Sequence, residues 1–272
     1  MDANDEETRK RFDDYNCKGV PHLLFVDDKG NEVDRIIGYL PPSEYLARIQ
    51  DIRNNKYTLD DFLAQYKIGQ ADAEIIAGIA LKYEDRGDSE NAKEFYLILI
   101  KDYPDPTSEH YQRGTYFLAS DAFKNGVSMA LNAYIASFPE SPFIEDAFYT
   151  MVYHYADKEM KEDEIKVYTQ MIEKLPENSN VLNSYAWRMA ELEINLEDAL
   201  IKVKRAVELS ADNPNGQANI IDTEAEVLWK LKRFDEAIES IEKAIAIDGE
   251  NQYFKDQKEK FIQSKKEASQ PV

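Results

Sequence analysis

The chain has 272 residues, 43% of them hydrophobic and 32% charged, with 53 acidic against 33 basic side chains and a net charge of −20. A surface this negative repels phosphate backbones and anionic headgroups, so nucleic acid and membrane insertion are set aside and a neutral or basic polypeptide is the expected partner. No apolar run reaches the length of a membrane span, residues 1–20 hold no hydrophobic signal core, and the single cysteine, Cys17, rules out an internal disulfide or a cysteine-built zinc cluster.

Residues 6–15 read as a short charged helix with Phe12 and Tyr15 turned toward a core. The run Leu23-Leu24-Phe25-Val26 does not alternate in polarity, which predicts a strand covered on both faces. Asp28-Lys29-Gly30-Asn31 supplies a tight turn with Gly30 at positive φ, and residues 32–39 return as the second strand of an antiparallel hairpin. Pro41-Pro42-Ser43 stops that strand and opens a helix over 44–52.

Taken in order, Gly19-Val20-Pro21, Leu24-Phe25-Val26-Asp27, Gly30 and Gly38-Tyr39 resemble the closing half of a thioredoxin-like fold, over roughly residues 2–53. The resemblance implies that Pro21 is cis and that Val20 and Pro21 form a substrate-binding edge, with the backbone of Val20 meeting an extended chain. His22 stands where that superfamily usually has threonine, and no Cys-x-x-Cys precedes it in this chain. Cys17 is read as a small buried hydrophobe rather than a reactive thiol, and His22 as a packed side chain without a second ligand. The resemblance also supplies a missing neighbour for the strand at 23–26. Met1-Asp2-Ala3-Asn4 resembles the tail of a preceding strand, so Met1 is expected not to be the natural start. The upstream sequence would then carry two strands, a helix and a Cys-x-x-Cys or its descendant, with a signal peptide there directing the protein to the periplasm. Without one, the cytoplasm is the expected compartment.

Asn54-Asn55-Lys56 closes this segment, and residues 54–70 read as an ordered connector with a short helix begun by Thr58, Asp60 and Asp61 and stopped by Gly69. The stretch over 221–248, IDTEAEVLWKLKRFDEAIESIEKAIAID, reads as two amphipathic helices joined at Lys232–Arg233. Its Ala225, Leu228, Phe234, Ala237, Ile241 and Ala244 resemble the tetratricopeptide repeat, whose period is about 34 residues. Related copies fall at about 73–105, 108–141, 145–178, 180–213 and 218–251, within an array spanning 71–251. The first keeps Ala80, Tyr83, Gly87, Ala92, Tyr96 and Pro104. The second lacks the small residue at its crossing, the third has Glu164 and Met171 where alanines are usual, and the fourth carries one extra residue near Asn195. Residues 252–264 form a polar capping helix through Phe254 and Phe261, and 265–272 a frayed tail. The wording Leu182-Asn183-Ser184-Tyr185-Ala186-Trp187, with Leu228-Trp229-Lys230-Leu231, is similar to bacterial proteins that fuse a thioredoxin-like domain to such an array.

The expected fold is mainly α: a tetratricopeptide-type α-solenoid behind a small α/β segment. The repeat register puts Gln112, Tyr116, Tyr149, Tyr153, Asn183, Trp187, Asp222 and Glu226 on the concave side, where amides and rings suit a peptide. Positions matching the carboxylate clamp of some tetratricopeptide domains (Ala77, Leu81, Arg113, Asp146, Thr150) keep one arginine, so that clamp is absent. His22, His110 and His154 are scattered, there is no phosphate loop, and no nucleophile–base spacing emerges; no catalytic residue, metal or cofactor is expected. An interaction scaffold is the leading reading. Its rivals are a thiol–disulfide oxidoreductase whose catalytic half lies upstream and a chaperone-like holdase.

Overall fold

The computed structural model describes residues 6–17 and 19–269. It divides into two compact units, 1–150 and 151–272, with the helix Ile144–Asp157 carrying the boundary.

The first unit opens with α1 (Glu6–Asp14), β1 (His22–Val26) and β2 (Glu32–Ile37). The strands pair antiparallel with His22 opposite Ile37 and Phe25 opposite Asp34, and the register slips between Phe25 and Val26. The Asp27 carboxylate accepts from the Lys29 and Asn31 amides, and Gly30 sits at φ +85°, as the turn requires. Among the described residues β1 has β2 as its one strand neighbour. Its side chains, expected to be covered on both faces, are therefore half-buried and Val26 is exposed. The Val20–Pro21 bond is cis. Residues 1–5, including the strand tail expected at Met1–Asn4, lie outside the described part.

Helix α2 (Pro42–Arg53) begins two residues earlier than expected, because the fixed φ of Pro42 suits the first turn. In α3 (Leu59–Lys67), Thr58 Oγ1 caps the start by accepting from the Asp61 amide at 3.2 Å. Helices α4 (Ala73–Asp85) and α5 (Ser89–Asp102) form the first hairpin, capped by Asp72 and Asp88. Ala80 and Ala92 are wholly buried where the pair crosses, among Ile76, Ile79, Tyr96 and Leu99. Phe62 of α3 lies against Gly78, where a Cβ would stand 2.7 Å from its ring. Next come α6 (Glu109–Lys124) and α7 (Ala130–Ser137), the latter only eight residues long with Leu131 fully buried.

After α8 (Ile144–Asp157), the second unit holds α9 (Lys161–Lys174), α10 (Ser179–Leu192), α11 (Leu196–Leu209), α12 (Pro214–Lys230), α13 (Phe234–Ile247) and α14 (Gln252–Ala268). Ala186, Ala199 and Ala206 are inaccessible where α10 meets α11, as are Ala225, Ala237 and Ala244 where α12 meets α13. The loop between α10 and α11 takes Glu193 and Asn195 through positive φ, which accommodates its extra residue. Lys232 does the same in the α12–α13 turn. Phe254 and Phe261 of α14 are buried, and the Trp229 indole donates to Ser264 Oγ at 2.9 Å. The helix runs on to Ala268, past the point at which fraying was expected. The pattern of antiparallel pairs with alanines at their crossings makes the chain mainly α, of the tetratricopeptide type, behind a small two-stranded segment.

Candidate binding surfaces

Within the first unit a charged network ties β2 to the first hairpin. Asp34 and Arg35 are both buried. Asp34 accepts from Lys82 Nζ at 2.6 Å and from Arg48, and its Oδ1 also takes the Arg35 amide. Arg35 makes a two-pronged contact with Glu32 and donates to the main-chain oxygens of Asp85 and Tyr15. Arg86 of the α4 end reaches back to Glu32 and to Val33 O. Fixed in this way, β2 and the end of α4 frame a cleft of roughly 320 Å³ lined by Val20, Pro21, His22, Ile37, Glu84 and Asp85.

In that cleft Val20 is 88% exposed. Cys17 is half-buried, and burial pushes its thiol up, away from the thiolate a nucleophile needs. Burial, with Arg35 nearby, pushes His22 down toward the neutral imidazole, and neither ring nitrogen has a hydrogen-bond partner. Asp85 is pushed up by burial.

A second cleft of roughly 330 Å³ is lined by Arg48, Tyr57, Phe62, Ala77, Leu81, Lys82, His110 and Arg113. Its cations are already engaged: Lys82 and Arg48 by Asp34, and Arg113 by Glu84 at 2.9 Å, although Arg113 Nε has no partner. Of the expected groove residues in this unit, Gln112 donates to Pro106 O, so its amide is turned to its own loop. Tyr116 stacks on Phe143 with ring centroids 5.9 Å apart and shares a hydrogen bond with Thr150; it packs between helices instead of presenting a free ring. Tyr149 is half-buried.

In the second unit Tyr153 is 62% exposed. Asn183 and Trp187 lie one helical turn apart on α10, both half-buried, and the buried Asn183 Oδ1 has no partner. Asp222 and Glu226, expected on an open face, are instead buried at 6% and 8% exposure. The reason is α14, whose Lys260 Nζ binds Glu226 Oε2 at 2.6 Å and lies 4.0 Å from the Trp229 ring centroid. Burial and the neighbouring Glu226 push Asp222 up to about 6. Among the described residues no group of three or more His, Cys, Asp or Glu side chains could hold a metal ion.

Sequence reasoning passed over two groups. One is Asp34-Arg35, legible as adjacent opposite charges inside a strand. The other is Glu164, almost wholly buried in α9, to which Arg188 of α10 donates from Nε and Nη2 at 2.6 and 3.0 Å. A carboxylate at a usual alanine position was the signal for that pair.

Residues 2–53 match the thioredoxin-like domain family. Over 92 residues the chain is 36% identical to the Protein STIP1 homolog of Dictyostelium discoideum, a match covering 34% of this chain and 15% of that protein. The chain thus spans a small part of the length of this curated relative. Among solved structures it is similar to YrrB, a TPR protein described as having an unusual peptide-binding site, at 16% identity over 73% of this chain and 97% of that one, with a TM-score of 0.49. It is also similar to the TPR2AB domain of yeast Sti1 in its pHSP90 complex, at 20% identity over 84% and 82% of the two chains, with a TM-score of 0.38. The family match over residues 2–53 falls on the segment that holds the β1–β2 hairpin and the cis Val20–Pro21 bond.

Proposed function

We propose that the chain is a polypeptide-binding scaffold whose recognition surface includes the Asn183–Trp187 face of α10. The observation that carries this reading is the unpaired Asn183 Oδ1 one turn from a half-buried indole. A buried acceptor without a donor is costly, by about 1–3 kcal/mol, and rotation of the half-buried Asn183 amide toward a bound peptide lets a main-chain N–H supply that donor. The indole offers the flat, low-entropy surface on which an apolar side chain packs. The exposed ring of Tyr153 extends the same chemistry on α8. In the first unit the exposed Val20 beside Pro21 is a second place for an extended segment, and Gln112, Tyr116 and Tyr149 serve mainly to shape their own helices. The net charge of −20 favours a neutral or basic partner.

Fluorescence anisotropy with a library of labelled twelve-residue peptides tests this. Trp187→Ala is expected to weaken the best binders by about 2 kcal/mol or more, and Asn183→Ala to weaken them less, with thermal unfolding still cooperative. Equal binding by both variants, or loss of cooperative unfolding in Trp187→Ala, would assign these side chains to the core.

A further inference from the structure

Two buried carboxylates and one ammonium meet where α14 reaches α12. Asp222 and Glu226 stand one turn apart on α12, each more than nine-tenths buried. Lys260 of α14 is the cation that bears on both, donating to Glu226 Oε2 at 2.6 Å and to Gln257 Oε1 at 3.0 Å. Asp222 Oδ1 has no hydrogen-bond partner. Two like charges on one helix face with a single counter-charge are unstable away from water, and the ordinary escape is to take up a proton.

We propose that Asp222, Glu226 and Lys260 form a proton-operated latch that tightens the docking of α14 on α12 when the pH falls below neutrality. The groups that bear on Asp222 are Glu226 on its own helix and Lys260 and Tyr253 from α14. Helices α10, α11 and α13 also pack on α12 but bring no further charge to Asp222 among the described residues. One added proton leaves one carboxylate for one ammonium, and the penalty of a second buried charge is removed. Lys260 is then held by Glu226 and by the faces of Trp229 and Phe261, while Trp229 stays bonded to Ser264.

The sign follows from the folded Asp222 carboxyl standing near 6, above its unfolded value of about 3.9. The folded state binds the proton more tightly, so the contribution is fully present below about pH 4 and is lost as the pH rises through 6. This opposes the acid response of the exposed or ion-paired carboxylates elsewhere, so the measurement has to be local.

Two measurements on the full chain test the latch. Carboxyl carbon NMR of uniformly labelled protein is expected to show the Asp222 carboxyl titrating with a midpoint between about pH 5 and 7, whereas an Asp222 midpoint below about 4.5 overturns the proposal. Amide exchange is expected to show protection in α14, relative to α10 of the same molecules, rising on the order of tenfold from pH 7.5 to 5. In Asp222→Asn that relative protection should be high at pH 7.5 and flat with pH. Relative protection that does not change with pH in the unaltered chain, or an unaltered pH response in Asp222→Asn, overturns the proposal. Should Asp222→Asn fail to fold, the NMR midpoint of Asp222 decides alone.

Discussion

Lys82 on α4 places its Nζ 2.6 Å from Oδ1 of Asp34 on β2, a carboxylate with no solvent exposure at all. Arg48 of α2 takes the other oxygen of the same group. Two elements, α2 and α4, are thereby fastened to one side chain of β2, and the thioredoxin-like segment and the first helical hairpin share a polar joint. Asp34→Ala is expected to destabilise the first unit by about 3–5 kcal/mol, since it strands two poorly solvated cations. Denaturant unfolding of the full chain, followed by amide exchange in β2 and α4, measures this. A loss under about 1 kcal/mol would show that the joint contributes little.

Glu164 and Arg188 make the comparable pair in the second unit. Arg188→Leu alone leaves a carboxylate at 1% exposure without its counter-charge and should cost about 3–5 kcal/mol. Adding Glu164→Ala removes the stranded charge and restores the residue expected at that crossing. The double variant should therefore recover most of the loss, and a double variant weaker than Arg188→Leu contradicts this account.

Ala237 is wholly buried where α13 crosses α12, beside Ile241 and Ala225. Ala237→Leu pushes three further carbons into a filled site and is expected to cost about 1–3 kcal/mol. An unchanged melting temperature would mean that the crossing has room the structure does not show.

Glu32 has a pH response opposite in sign to that of the latch. Burial acts to raise its carboxyl, yet Arg35 and Arg86 outweigh that and hold it below the usual range. Its contribution is present above the ordinary glutamate value of about 4.3 and is lost as the pH falls through the lower folded value. Glu32→Gln should make acid unfolding of the β2–α4 region less steep, and should also lower its urea midpoint at neutral pH because Arg35 and Arg86 lose their counter-charge. Equal steepness in acid would remove Glu32 from the list of groups that drive it.

Local rules made much of this protein legible from its residues. The helix pairs announced themselves through alanines and larger apolar residues at helical spacing, and the β1–β2 turn through Asp28-Lys29-Gly30-Asn31. Thr58 marked a helix start because a short polar side chain can satisfy a free amide only one turn away. In each case the cause lies within a few residues, so the sequence contains it whole. The candidate surfaces were different. Tyr116 and Trp187 are both aromatic groove positions in the repeat register, but only the packing of Phe143 and Thr150 turned the Tyr116 ring inward. Asp222 and Glu226 were legible as a polar helix face, and α14 decided that this face is covered. Asp34 looked like one charge among many until Arg48 and Lys82 closed around it. A helix follows from backbone and side-chain preferences along the chain, whereas burial and the state of a charge depend on which distant residues fill the space beside it, and that was settled only by the tertiary structure.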